Sequence, residues 1–367
     1  MTIRFLPTEE QVMFRDTARR WVEQDYKAAG DPAAHWAQFA ELGWLMIGAP
    51  ETAGGLGGDA YDVAILAEEL GRGLVRAPFV EVAGAATQAL LALAPDRVEA
   101  ITTGETRPLL AHDEFEARGD QDWVETRATR VGGDWRLSGR KTGLVGAPLA
   151  DGFLVTARTD AAVALFLVDP APGVLKPFAT IDDRPAGELR LEQTPATLLA
   201  EDALPAVRRA LDYALVLESA EALGTMQAAL DLTREYLLTR VQYGQRLADF
   251  QALRHRLADM FIEVEQARSI LLRGLAALVA DGSDRAAIAA ATRARVAAAA
   301  RFVGAQAVQL HGGIGVTEEY PVGHMFKRLC AFELRHGTAA VQLERFAALT
   351  RNYASQPEEV RGPMLPT

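Results

Sequence analysis

Thr239-Arg240-Val241-Gln242-Tyr243-Gly244-Gln245, followed by Phe250-Gln251-Ala252-Leu253 and Leu257-Ala258-Asp259-Met260, is the stretch on which the fold turns. It falls where one long helical period, near residues 206–240, gives way to another near 250–280. Arg240 offers a planar fork of donors, the geometry that grips a diphosphate at two points. The plainer reading is an exposed arginine facing the negative end of a helix. Tyr243 is read either as a stacking surface or as an aromatic belonging to the core.

Working outward, two more segments, near 284–310 and 324–352, suit long helices, with Asp281-Gly282-Ser283 and the glycines after His311 as breaks. The 284–310 segment is rich in alanine, and small residues permit close helix–helix approach within a four-helix bundle or at a subunit face. Upstream, from about 108 to 200, the period changes to two. Trp123–Val131 alternates, Gly132-Gly133-Asp134 makes a turn, and Phe153–Ala157, Val163–Val168 and Glu188–Glu192 read as further strands of a small antiparallel domain. Before about residue 100 the pattern is helical again, with Pro7-Thr8-Glu9-Glu10 as a capped start. The glycine-rich Gly48–Gly58 stretch lacks a following Lys-Ser/Thr and reads as a plain connection. The expected organisation is α+β: an N-terminal helical domain over 1–107, a middle β domain over 108–204 and a C-terminal helical bundle over 205–367.

The chain has 367 residues, and its 38 basic and 49 acidic residues leave a net charge of −11. That surface repels phosphate backbones, so a nucleic-acid partner is not expected. A single cysteine, Cys330, excludes an internal disulfide, and the six histidines never fall at i, i+4 ligand spacing, so no metal is expected. The opening MTIRFLPTEEQ has neither the basic nor the apolar region of a secretory signal. No run of about 18 apolar residues appears, so no membrane partner is expected. The chain reads as cytoplasmic.

The 239–260 stretch strongly resembles the flavin-binding signature of acyl-CoA dehydrogenases, and Gln309-Leu310-His311-Gly312-Gly313-Ile314-Gly315 with Glu319-Tyr320-Pro321-Val322 resembles that family's second signature. Gly43-Trp44 through Gly58, Glu68-Glu69-Leu70-Gly71 and Gly139-Arg140-Lys141 match in the right order, so the resemblance covers nearly the whole chain. It implies FAD as cofactor, an acyl-CoA thioester as substrate, α,β-desaturation as reaction and electron-transfer flavoprotein as a possible electron acceptor. It further implies a homo-oligomer, commonly a tetramer, or a hetero-oligomer with a homologous subunit. The cofactor-binding positions carried over are Arg240, Tyr243, Gln251, Gln309, Gly312, Gly313 and Thr338. In the family, Arg240 and the Gln309–Gly315 loop reach the FAD of a neighbouring subunit, and glycines there let backbone approach the dinucleotide.

The sequence departs from the family where the chemistry lies. The usual base, a glutamate before Gly-Thr, falls 17 residues after Glu319 on His336, followed by Gly337-Thr338. The alternative position, on the first bundle helix about ten residues before Leu223-Gly224, is Ala214, with Leu215 in place of the usual arginine. Two candidate bases remain. His336 is an imidazole whose reference pKa of about 6.5 suits proton abstraction, and Glu218 lies one turn beyond Ala214, although a solvated or ion-paired glutamate is its plainer reading. The β domain also drifts: Asp113-Glu114-Phe115-Glu116-Ala117-Arg118-Gly119-Asp120 keeps only Glu114 and Asp120 of the family's run, and Gly143-Leu144-Val145 stands where the element covering the flavin ring is expected. Two readings follow: a dehydrogenase with an atypical base, or a small, non-catalytic or half-site subunit that completes a homologous partner's FAD site.

Overall fold

The computed structural model describes residues 6–26 and 30–354. Its first helices begin where the sequence supplies caps. α1 (Glu9–Arg20) opens on a reciprocal box: Thr8 Oγ1 accepts from the Gln11 backbone at 3.2 Å, and Gln11 Oε1 accepts from the Thr8 backbone at 3.1 Å. α2 (Pro32–Glu41) starts on Asp31, and α3 (Ala60–Arg72) on a second box made by Asp59 and Asp62. α4 (Thr87–Leu93) and α5 (Glu99–Thr102) complete this region. The Gly48–Gly58 connection has a packing reason for its glycines. A Cβ on Gly55 would lie 1.9 Å from the Ala49 carbonyl oxygen, so only glycine fits. Just before α4, Val80–Ala86 winds as a π-helix, which brings Glu81 and Ala85 to the middle of the molecule.

One seven-stranded sheet follows, built from β1 (Pro108–Ala111), β2 (Arg127–Val131), β3 (Asp134–Val145), β4 (Gly152–Arg158), β5 (Val163–Val168), β6 (Leu175–Ala179) and β7 (Pro185–Ala200). The β2–β3 hairpin turns at Gly132 and Gly133, both with positive φ, as the sequence suggests. The sheet is not wholly antiparallel, however. β1 runs parallel to β4, pairing Pro108 with Gly152 and Ala111 with Val155. Alternation along one strand reports which side chains are buried, not the direction of a partner some forty residues away, so this pairing is invisible locally.

α6 (Leu204–Thr239) then crosses the molecule and ends at a two-residue-per-strand hairpin, β8 (Val241–Gln242) and β9 (Gln245–Arg246), before α7 (Gln251–Ala280) and α8 (Arg285–His311). Alanines 290, 297, 299 and 300 of α8 are fully or almost fully buried, and the helix packs on α6 and α7. The expected last segment is two helices, α9 (Pro321–Leu334) and α10 (Ala339–Ala354). Between them the backbone turns left-handed at His336 (φ 54°) and Gly337 (φ 87°). Among the described residues no helix is long and apolar enough to cross a membrane, and no cluster of His, Cys, Asp and Glu is arranged to hold a metal ion.

Candidate active site

The turn at His336 sits where three regions meet: the loop after β1, the π-helical Val80–Ala86 and the middle of α6. His336 and Glu218, far apart in sequence, are in contact: imidazole Nε2 lies 3.1 Å from Glu218 Oε1. On its other side, Nδ1 lies 2.9 Å from Asp113 Oδ2. A ring with a carboxylate at each nitrogen donates from both, which requires the imidazolium form. Burial works against that charge, but Glu218 and Asp113 outweigh it and push the imidazole up to about 9. Its lone pair is therefore occupied near neutrality, which runs against the expectation that His336 accepts a proton.

Glu218 fares no better as a base. It is 2% exposed, with Arg293 at 3.0 Å and Arg335 at 3.0 Å besides the histidine. Burial opposes its charge, yet Arg335, His336 and Arg293 hold its carboxyl well below the usual range. Arg293 is entirely buried, and its guanidinium also donates to the carbonyls of Phe332 and Arg335 and lies 3.6 Å over the Phe332 ring. It thus fixes the end of α9 and the turn that follows.

From there the ion pairs continue without a gap. Arg335 meets Glu81 at 3.0 Å; Glu81 lies 3.6 Å from Arg184; Arg184 meets Asp182 at 2.7 Å and Glu221 at 3.4 Å; and Arg328 bridges those two carboxylates at 2.5 Å and 2.8 Å. The cluster holds five carboxylates (Glu81, Asp113, Asp182, Glu218, Glu221) and five cations (Arg184, Arg293, Arg328, Arg335, His336). With every carboxylate ionised it balances when His336 carries its proton, through the same attraction of Glu218 and Asp113 that raises its pKa.

The remaining space is small. The cavity bordered by Glu81, Asp113, Gly143, Ala214, Glu218 and His336 has about 40 Å³, room for a few waters, whereas small-molecule sites run to roughly 300–1,000 Å³. Ala214, at the alternative base position, lines it without offering an acceptor. Gly119 closes it further: a Cβ there would lie 2.9 Å from the Gly337 Cα and 3.1 Å from the His336 carbonyl oxygen, so the 113–120 loop rests directly on the turn. That loop is clamped from behind by Glu114, whose carboxylate takes the buried Lys141 ammonium at 2.7 Å and the Glu125 and Thr126 backbone N–H groups. Burial draws the Lys141 amine down to about 8.

The cofactor-binding positions read from the sequence divide differently. Thr338 is half-buried beside the turn. Arg240, Tyr243, Gln251, Gln309, Gly312 and Gly313 all lie on the surface, Tyr243 with 92% of its area exposed. Tyr243 (φ 54°) and Gly244 (φ 79°) form the tip of the β8–β9 hairpin. Gly312 (φ 63°) and Gly313 have no atom within 4 Å of where a Cβ would sit. Among the described residues the Arg240 guanidinium, unlike that of Arg293, is engaged by no other side chain. These residues suit a dinucleotide approaching from outside the chain. The residues around the 40 Å³ cavity do not suit one within it.

Asp113, Glu81, Arg293 and Arg335 were not singled out as site residues by sequence reasoning. The sequence carries no signal that sets Arg293 apart from Arg295, two residues along the same alanine-rich helix.

Residues 8–98 match the family described as "Acyl-CoA dehydrogenase, N-terminal domain" and residues 204–349 match "Acyl-CoA dehydrogenase, C-terminal domain". The acyl-CoA dehydrogenase IpdE2 of Mycobacterium tuberculosis is 33% identical over 353 residues, covering 91% of this chain and 93% of its own. Among solved structures, a variant of the Tcur3481–Tcur3483 steroid ACAD superposes with a TM-score of 0.86 at 29% identity, over 95% of this chain and 99% of that one. A chain of the ChsE4–ChsE5 complex from Mycobacterium tuberculosis does so with a TM-score of 0.82 at 26% identity, over 97% and 100%.

Proposed function

The chain belongs to the acyl-CoA dehydrogenase family, and from that premise we propose that it is the half-site subunit of a hetero-oligomeric acyl-CoA dehydrogenase. FAD is the cofactor of this family, and bound to the homologous subunit it supplies the hydride acceptor for α,β-desaturation of an acyl-CoA. This chain lends its exposed groups. The Arg240 fork is free to take a diphosphate through paired donors. Gly312 and Gly313 let the α8–α9 connection approach the dinucleotide without a side chain in the way. Tyr243 and Gln309 flank that approach from the hairpin and the end of α8. The homologous subunit provides the base and the open acyl cleft.

One observation carries this reading: the place of the base holds an imidazolium fixed between Asp113 and Glu218, in a cleft too small for a thioester. Support comes also from the two solved relatives whose names join two gene products, ChsE4–ChsE5 and Tcur3481–Tcur3483. The alternative, turnover in this chain with His336 or Glu218 as base, requires a proton to leave an imidazolium that two carboxylates stabilise, or to join a carboxylate that three cations hold ionised.

Expression alone and with a homologous subunit tests the proposal. Alone, the chain should elute from gel filtration without flavin absorbance; with its partner, the complex should be yellow and bleach on adding acyl-CoA. A chain that by itself retains one FAD per subunit and turns over an acyl-CoA overturns it.

A further inference from the structure

On the other face of α6, away from Glu218, lies a cavity of about 500 Å³ enclosed by α1, α3, α6 and α7. Gln227, which lines it, comes nine positions after Glu218, and nine steps of α-helix rotate by about 180° from the starting face. Its size falls within the ordinary range for small-molecule sites.

Its frame is fixed. A Cβ on Gly224 would lie 1.8 Å from the Glu68 carbonyl oxygen, and one on Gly71 2.0 Å from that of Glu221, so the backbones of α3 and α6 touch beside the cavity. The floor is apolar: Ile65, Leu223, Leu271 and Leu275 line it, none more than 6% exposed. The rim is ionic and unevenly paired. Arg15, Arg19, Arg72 and Arg268 face Glu68, Glu69 and Asp231, and Arg268 also reaches Glu265 at 3.5 Å. Arg19 grips Glu69 in two places at 3.0 Å and 2.7 Å, Arg72 meets Asp231 at 2.9 Å, and Arg268 meets Glu68 at 2.9 Å. Arg15 is left with a long 3.4 Å contact to the same Glu68, and among the described residues its buried Nε has no acceptor.

Arg15 is the least satisfied cation of this rim, and apolar surface lies beneath it. We propose that the cavity binds a carboxylate-headed apolar molecule, the Arg15 guanidinium taking the head and the Ile65–Leu271–Leu275 floor the body. The site is separate from the cleft at His336 and does not depend on which subunit carries the reaction. A ligand oxygen at Arg15 gives that buried donor its acceptor.

The full chain, with its partner subunit if solubility requires it, is titrated with cis-parinaric acid, which fluoresces when shielded from water. A saturable rise is expected, reversed by dodecanoate about tenfold more effectively than by dodecanol, which lacks the charge. Arg15→Gln should weaken the probe by about tenfold, and Ala64→Phe, which fills the cavity from α3, should abolish the rise. Arg15 is at the rim, so its variant stays informative even if Ala64→Phe unfolds, a point checked by thermal melting. No saturable rise, equal displacement by acid and alcohol, or an Arg15→Gln protein that binds as tightly as wild type each overturns the proposal.

Discussion

Two regions of the same helical bundle face opposite demands. Around His336, every charged group is matched, the backbone of one loop rests on another, and about 40 Å³ is left open. Around Arg240, a hairpin and a glycine loop project with an unengaged guanidinium and a tyrosine in solvent. The first region is closed on itself; the second presents its groups to solvent. The stretches that carry the family resemblance, 239–260 and 309–322, lie at the projecting region. One helical bundle can therefore hold a closed, charge-matched interior beside an open surface.

The contrast is most readily broken at Arg293. Arg293→Met strips one cation from a buried, balanced cluster, and the expected loss is about 3–5 kcal/mol of folding stability in urea. A variant as stable as wild type would show that the cluster does not hold the cleft shut.

The next largest effect concerns pH. The His336 pKa is raised in the folded state, from 6.5 to about 9, so its contribution is fully present below about 6.5 and is lost as pH rises through about 9. The size is of the order of 3 kcal/mol. Lys141, drawn down to about 8 from 10.5, acts in the opposite sense above pH 8, since only the unfolded chain must then hold its proton. The measurement is therefore the difference between wild type and His336→Gln across pH 6–10, where the Lys141 contribution cancels. The gap between the two proteins should close toward pH 10, and a constant gap would contradict an imidazolium at this position.

Smaller effects belong to the projecting region and should leave the chain's own stability unchanged. Arg240→Ala is expected to weaken FAD retention by the complex about tenfold, read by flavin absorbance after gel filtration. Tyr243→Ala should weaken it by roughly fivefold, through lost aromatic contact. Either variant lowering the thermal midpoint of the isolated chain would show that these residues serve their own fold rather than a partner.

Much of the architecture was legible because helix and strand periods are local. The capped start at Thr8, the hairpin at Gly132-Gly133 and α6 to α8 all follow from residue spacing. The break between α9 and α10 was not, because the apolar positions keep helical spacing across Arg335–Thr338 and nothing in the residues announces a left-handed turn at a histidine. The π-helical Val80–Ala86 departs from the 3.6-residue period that a helix reading assumes. Within the site, that His336 and Ala214 stand where the resemblance expects a base was read residue by residue. The cluster around them was not legible, because Glu81, Asp113, Asp182, Glu218, Arg293 and Arg335 come from segments whose meeting is a property of the fold alone. His336 read in isolation was a candidate base; only Asp113 and Glu218 together make it an acid that keeps its proton.

The five-against-five balance also sets how tolerant this turn is of change. A glutamate at position 336 would leave six carboxylates facing four arginines in a space with almost no water, and the 113–120 loop would still lie across the turn. Several charges would have to change together for a carboxylate to be accommodated there, so the balance works as a lock: each member of the cluster holds the others to their present charge.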